Sequence, residues 1–294
     1  MSKGQKEIIA TFSIVGFDPE TGELGIAVQS KFLAVGALVP WAKAGVGAIA
    51  TQSLANISYG PEGLELMAQG KNPDEVVEIL TAKDEDKDYR QIGVVDVKGN
   101  SATFTGDKCY DWAGGVAGEN FAAQGNILVS EDTVNAMADT FQKSEGRLAD
   151  RLLKSLAAGQ EAGGDSRGRQ SAALLVVKEK GGYGGYNDRY IDLRVDDHPT
   201  PIKELGRLLD IFYLYFSDEE ADIVKIEGSV TEKVKESLSN MGIYDGEINE
   251  EFDKRLKQAI NTFYHRENFE EREVEEGYIY EDILNYLLDK SKKG

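Results

Sequence analysis

Through the first two hundred residues strand-like runs alternate with helix-like segments, and after Pro201 the apolar positions fall three and four apart. A period of two sets one side of a strand against a core, and a spacing of three and four does the same for a helix. Thr11 to Phe17 and Leu24 to Gln29 therefore read as strands joined by DPETGE, with Gly45 to Gln52 a further buried strand. Tyr59 to Gln69 and Asn72 to Lys83 carry helical spacing, with Asn72 as N-cap and Pro73 at the first helical position. Gln91 to Val97 and Ser101 to Thr105 read as a hairpin turning at Gly99-Asn100. Two helices follow at Ser130 to Gln142 and Arg147 to Ala158, then strands at Ser171 to Lys178 and Tyr190 to Val195 around GGYGGYND. Pro201 to Phe216 is an amphipathic helix, and shorter helices are expected at Val230 to Asn240, Phe252 to His265 and Ile279 to Lys290. The pattern predicts an α+β domain followed by a small all-α domain.

Composition sharpens this by exclusion. The chain holds 33 Lys and Arg against 52 Asp and Glu, a net charge of −19. No nucleic-acid partner is expected, because nucleic acid is bound through clustered cations that displace counterions. The most apolar run, Ala34 to Ala50, is broken by Pro40, Lys43 and three glycines, too short and interrupted to span a bilayer. Met1 to Ala10 offers only Ile8-Ile9-Ala10 as an apolar stretch, which makes no secretory signal. The expectation is a cytoplasmic protein without membrane contact. One cysteine, Cys109, excludes an internal disulfide and a Cys-based zinc site. Two histidines, His198 and His265, leave no His-rich metal centre, so no metal is expected. His198 reads as a linker residue, and His265 as a cation at a helix end.

Acidic charge concentrates and glycine thins out beyond DDHPTP (196–201), whose two prolines disfavour helix just before them. The expected organisation is a leader at 1–10, a mixed domain at 11–198 and a helical domain at 199–294.

The segment from Thr11 to Asn56 resembles the opening of the domain of unknown function family numbered 1028. Further matching motifs are QIGVVD from Gln91, TGDKCYDWAGG from Thr105, AAQGNIL from Ala122, GGDSRGRQSAALLVV from Gly163 and GGYGGYNDRYIDLRVDDH from Gly181. The resemblance spans about residues 10–200 and implies the four-layer αββα sandwich of N-terminal nucleophile hydrolases. Those enzymes attack with the first residue of the processed chain and use its free α-amine as base. The unperturbed α-amine pKa, near ~8, suits that role.

The resemblance puts Thr11 in the nucleophile's place, once Ala10–Thr11 is cleaved, with Asp165 as supporting acid and Asn126 beside the amine. Gln29 stands where the superfamily carries an aspartate, and Lys31 where it often has arginine. Backbone N–H groups near Gly47 and Thr51 would serve an oxyanion hole. Arg167 and Arg169 would clamp a substrate carboxylate. The substrate would be a small amide or peptide-like molecule, and neither metal nor organic cofactor is required. Residue type alone allows plainer readings. Thr11 is also an ordinary β-branched strand residue, the arginines also suit salt bridges, and Cys109 beside Trp112 suits buried packing better than nucleophilic attack.

The last ninety residues contain KVKESLSNMGIYDGEINEEFDKRLKQAINTFYHRENF and GYIYEDILNYLL, which resemble a peptidoglycan-binding domain, a small three-helix module. Val234, Leu238, Ile248, Phe252, Leu256, Ala259, Phe263, Ile283, Leu284 and Leu287 are its expected core. The acidic surface and missing export signal count against contact with peptidoglycan. The apolar face of Pro201 to Phe216 would suit a homodimer. Two functions are therefore carried forward: an N-terminal nucleophile-type amidohydrolase, and a catalytically silent ligand-binding protein on the same scaffold with a helical interaction domain.

Overall fold

A computed structural model of the chain describes residues 11–216 and 222–292. The expected leader, residues 1–10, lies outside the described residues. Contacts divide the chain into Met1–Arg207 and Leu208–Gly294.

The first unit contains β1 (Thr11–Phe17), β2 (Leu24–Ser30), β3 (Pro40–Lys43), β4 (Gly47–Ser53), α1 (Tyr59–Ala68), α2 (Pro73–Ala82), β5 (Arg90–Asp96), β6 (Ser101–Thr105), β7 (Gly114–Gly118), β8 (Phe121–Asn126), α3 (Asp132–Lys143), α4 (Leu148–Glu161), β9 (Ser171–Val177) and β10 (Arg189–Val195). The strands form a six-stranded sheet in the order β10-β9-β2-β1-β8-β7 and a four-stranded sheet in the order β3-β4-β5-β6. Every pairing is antiparallel. Val15, Ile26, Val28 and Leu175 of the larger sheet pack against Ala48, Ala50 and Val95 of the smaller one. On the larger sheet's other face, a Cβ built on Gly16 or Gly25 would run into Phe141 or Leu152 of α3 and α4. Ile49, Ile92 and Val94 of the smaller sheet likewise pack outward on Tyr59, Met67, Val76 and Leu80 of α1 and α2. Strands buried on both faces explain why clean alternation is weak in this part of the sequence.

The α2 start forms as expected. Asn72 Oδ1 accepts from the Glu75 N–H, Glu75 accepts from the Asn72 N–H, and Pro73 opens the helix. The sequence reading misses β3, β7 and β8. The β8 segment FAAQGN holds no β-branched residue, so propensity gives no sign of a strand, although all six positions are buried.

The helix α5 (Pro201–Phe216) crosses the division, and the second unit continues with β11 (Ile223–Lys225), α6 (Ser229–Asn240), α7 (Lys254–Glu267), β12 (Tyr278–Tyr280) and α8 (Glu281–Lys290). The helix expected from Ile279 gives its first residues to β12, which pairs with β11. Val234, Leu238, Leu256, Ala259, Phe263, Ile283 and Leu287 meet in the core. Ile248 does not join them and is 38% exposed. The chain is thus a mixed α/β protein with antiparallel sheets and a helical C-terminal region.

Candidate functional site

Strand register collects the polar residues between the sheets at one end. Asn126 on β8 lies opposite Thr11 on β1, Thr11 opposite Ser30 on β2, and Ser30 opposite Ser171 on β9. Directly opposed residues in an antiparallel sheet point to the same face, so these four form one row. A second row, Gln124 and Ser13, lies one pleat inward. Across the gap, Gln52, Gln91 and Thr105 make a matching row on the smaller sheet.

The two sides are stitched together by hydrogen bonds. Thr11 Oγ1 donates to Ser30 Oγ at 3.1 Å. Ser13 Oγ donates to Gln52 Oε1 at 2.6 Å, and Gln124 Nε2 donates to Ser13 Oγ at 2.7 Å. Gln52 Nε2 reaches Gln91 Oε1 at 2.8 Å and the Thr11 carbonyl at 3.3 Å. Asn126 Nδ2 reaches the same two acceptors at 3.0 and 3.5 Å. Gln91 Nε2 in turn donates to Thr105 Oγ1 and the carbonyls of Gly114 and Gly125. Gln124 crosses the gap because position 93 is glycine: a Cβ there would lie 2.0 Å from Gln124 Oε1. Asn126 Oδ1 is buried without a hydrogen-bond partner. These bonds join hydroxyls, carboxamides and carbonyls.

The candidates from sequence divide between this cluster and its surroundings. Thr11 and Asn126 lie in it, both fully buried. Asp165, 3% exposed, accepts from the Lys31 N–H at 2.8 Å and from the Arg167 N–H at 2.9 Å, and Arg167 closes an ion pair at 3.2 Å. It binds the end of β2 to the loop before β9, next to the row but through other bonds. Lys31 Nζ donates to the Arg169 carbonyl. Gln29 pairs with Phe12 on β1, which shares its face with Gly16, the face covered by α3 and α4, so its side chain points away from Thr11. Both Gln29 amide atoms are buried without a partner. Thr51 faces outward beside Ile49, one position from inward Gln52. Its N–H donates to the Val39 carbonyl and its hydroxyl to the Asn56 carbonyl. Ser13, Ser30, Gln52, Gln91, Gln124 and Ser171 were not singled out from sequence. Each sits at an inward position of a strand, and polar residues at those positions were the available signal.

Cys109 is buried, and burial pushes its thiol pKa up although Ser53 hydrogen-bonds it in the opposite sense. Among the described residues no group of three His, Cys, Asp or Glu side chains is placed to hold a metal ion. No described helix is long and apolar enough to cross a membrane.

Residues 11–205 match the family described as "Family of unknown function (DUF1028)". The chain belongs to that family. A family member from Silicibacter pomeroyi, known from a crystal structure, is 33% identical, covers 71% of this chain and 91% of its own, and superposes with a TM-score of 0.64. Residues 215–287 match a second family, described as "Putative peptidoglycan binding domain". No curated protein matches.

Proposed function

We propose that the first unit is an amidohydrolase of the N-terminal nucleophile type, acting on a small amide or peptide-like substrate after cleavage of Ala10–Thr11. The observation that carries the reading is the place of Thr11 at the start of a central strand, facing the second sheet, with an unpartnered carboxamide oxygen on the opposed Asn126. A threonine hydroxyl needs a base to attack a carbonyl, and the α-amine released by cleavage supplies one at the nucleophile itself. The family match also begins at Thr11.

In this reading Thr11 Oγ attacks the substrate carbonyl and its proton passes to the α-amine. The C–N bond breaks, the leaving amine takes that proton, and water hydrolyses the resulting ester to free Thr11. Asn126 Oδ1 accepts from the amine. Asp165 acts as a positioning residue through the Lys31 and Arg167 loop segments it joins. The layered packing of helices and sheets agrees with the αββα sandwich of that superfamily, and the division near Arg207 supports a helical module appended to it.

The deciding experiment is intact mass and N-terminal sequencing of the purified chain, followed by assay of a panel of acyl amides and dipeptides. A chain beginning at Thr11, with turnover abolished in Thr11→Ala, is expected; turnover unchanged in Thr11→Ala overturns the reading. The full burial of the Thr11 hydroxyl favours a second reading, a silent binding protein. It predicts a full-length chain whose melting temperature rises with a ligand that is not consumed.

A further inference from the structure

Arg169 takes no part in the bonds around Thr11. It lines a cleft of about 480 Å³ between the second half of α4, the loop before β9 and the first turn of α5. Leu153, Ala157 and Ile202 give this cleft an apolar wall, and Lys154, Arg169 and Lys203 stand around it. In a chain of net charge −19 most cations find a carboxylate, as Arg167, Arg194 and Arg207 do. These three have none within ion-pair distance among the described residues. Glu161 is the one acid in the lining, and it too lies beyond pairing distance of them. A second cleft of about 380 Å³, lined by Lys31 and His198, meets the first at Arg169. The Lys31 ammonium donates to the Arg169 carbonyl, and His198 Nδ1 accepts from the Thr200 N–H, which steadies both sides of the junction.

We propose that this cleft binds a small organic anion, a carboxylate or phosphate carried on a short apolar chain, with Arg169, Lys154 and Lys203 on the anion and Leu153, Ala157 and Ile202 on the chain. Three cations lining one cleft favour an anion within it. The guanidinium offers paired donors matched to a carboxylate or phosphate edge. The N-terminal end of α5, which opens at Pro201, favours negative charge at the same place. The volume falls in the range of small-molecule sites. Arg169 is also the residue expected to clamp a substrate carboxylate in the hydrolase reading, but none of these residues enters the Thr11 network, so ligand binding here and turnover through Thr11 fail separately.

Calorimetry on the full chain with hexanoate, hexyl phosphate, inorganic phosphate and hexanol tests it. Hexanoate or hexyl phosphate is expected to bind with a Kd below about 1 mM, and hexanol at least about tenfold more weakly. The tighter of the two alkyl anions identifies the head group. Arg169→Gln, and the pair Lys154→Gln with Lys203→Gln, should each weaken the better ligand by about fivefold or more, while Lys233→Gln in the second unit leaves it unchanged. Failure of both alkyl anions to bind below about 10 mM overturns the proposal. So does equal binding of hexanol, binding of inorganic phosphate as tightly as hexyl phosphate, or an Arg169→Gln chain that binds like the parent.

Discussion

Thr11 and Ser30 face each other across β1 and β2, and the Thr11 hydroxyl donates to the Ser30 hydroxyl at 3.1 Å. The next residue back, Gln29, is opposed to Phe12 and so looks the other way. One step of register separates the residue beside Thr11 from the one that family resemblance singled out. The two carboxamides at issue, Gln29 and Gln91, should then answer mutation in opposite ways. Gln91 holds Gln52, Asn126, Thr105 and two carbonyls. Gln91→Leu orphans these buried groups and should cost about 3 kcal/mol or more, read as the urea midpoint. Gln29→Leu removes two atoms that bond nothing and should change stability by less than about 1 kcal/mol or raise it. A large loss at Gln29 would mean that its amide does work the structure does not show.

Much of this was legible in the sequence, and the remainder follows a pattern. The first hairpin, the α2 cap and the core of the second unit were readable because each has a local signal: two apolar runs around the DPETGE turn, an Asn-Pro-x-Glu start, a helical stripe. The β8 strand was not, because Ala122, Ala123 and Gly125 are chosen for close packing between layers rather than for strand propensity. The polar cluster was half legible. Thr11 and Asn126 came from resemblance, whereas Gln52, Gln91 and Gln124 gain meaning only when two sheets, distant in sequence, bring them face to face.

Gly93 tests whether that face-to-face arrangement is tight. A Cβ there meets the Gln124 side chain at 2.0 Å and cannot be relieved by solvent, since Gln124 is fully buried. Gly93→Ala should cost about 2 kcal/mol, the usual range for overpacking. Adding Gln124→Ala should recover part of that loss, giving a non-additive pair by thermal or urea unfolding. Simple additivity would place the clash elsewhere.

Acid should loosen the loops after β4 and before β5. Burial alone would raise the Asp84 carboxyl, but hydrogen bonds from Arg90, Asn56, the Asp86 N–H and Tyr59 outweigh it and hold the group well below the usual carboxylate range. A carboxyl depressed in the folded state stabilises the protein above its unfolded pKa, near ~4, and that contribution fades as pH falls below it. Asp84→Asn should therefore lower the urea midpoint at pH 7 by the equivalent of about 2 kcal/mol. The gap from the parent should narrow steadily toward pH 3. A gap independent of pH would mean that the bond geometry matters and the charge does not.

The second unit carries a buried cation whose partners define a fourth test. Lys235 is fully buried on α6; its ammonium donates to Asn249 Oδ1 at 2.6 Å and to Asp253 Oδ2 at 3.3 Å, and it lies over the Tyr244 ring. Asp253 also caps α7 by accepting from the Leu256 N–H at 2.8 Å. Asp253→Ala removes the cap, worth about 1 kcal/mol, and leaves the ammonium buried without its counter-charge. Losing the charge partner is the larger effect, so the variant should lose about 3 kcal/mol, seen as faster hydrogen exchange in α6 and α7. Replacing Lys235 with Met in that background takes away the stranded charge while keeping the volume. The double variant should be more stable than Asp253→Ala alone, retaining only the loss of the cap. If Lys235→Met instead deepens the loss, the lysine is held chiefly by Asn249 and the aromatic face, and Asp253 acts on α7 alone.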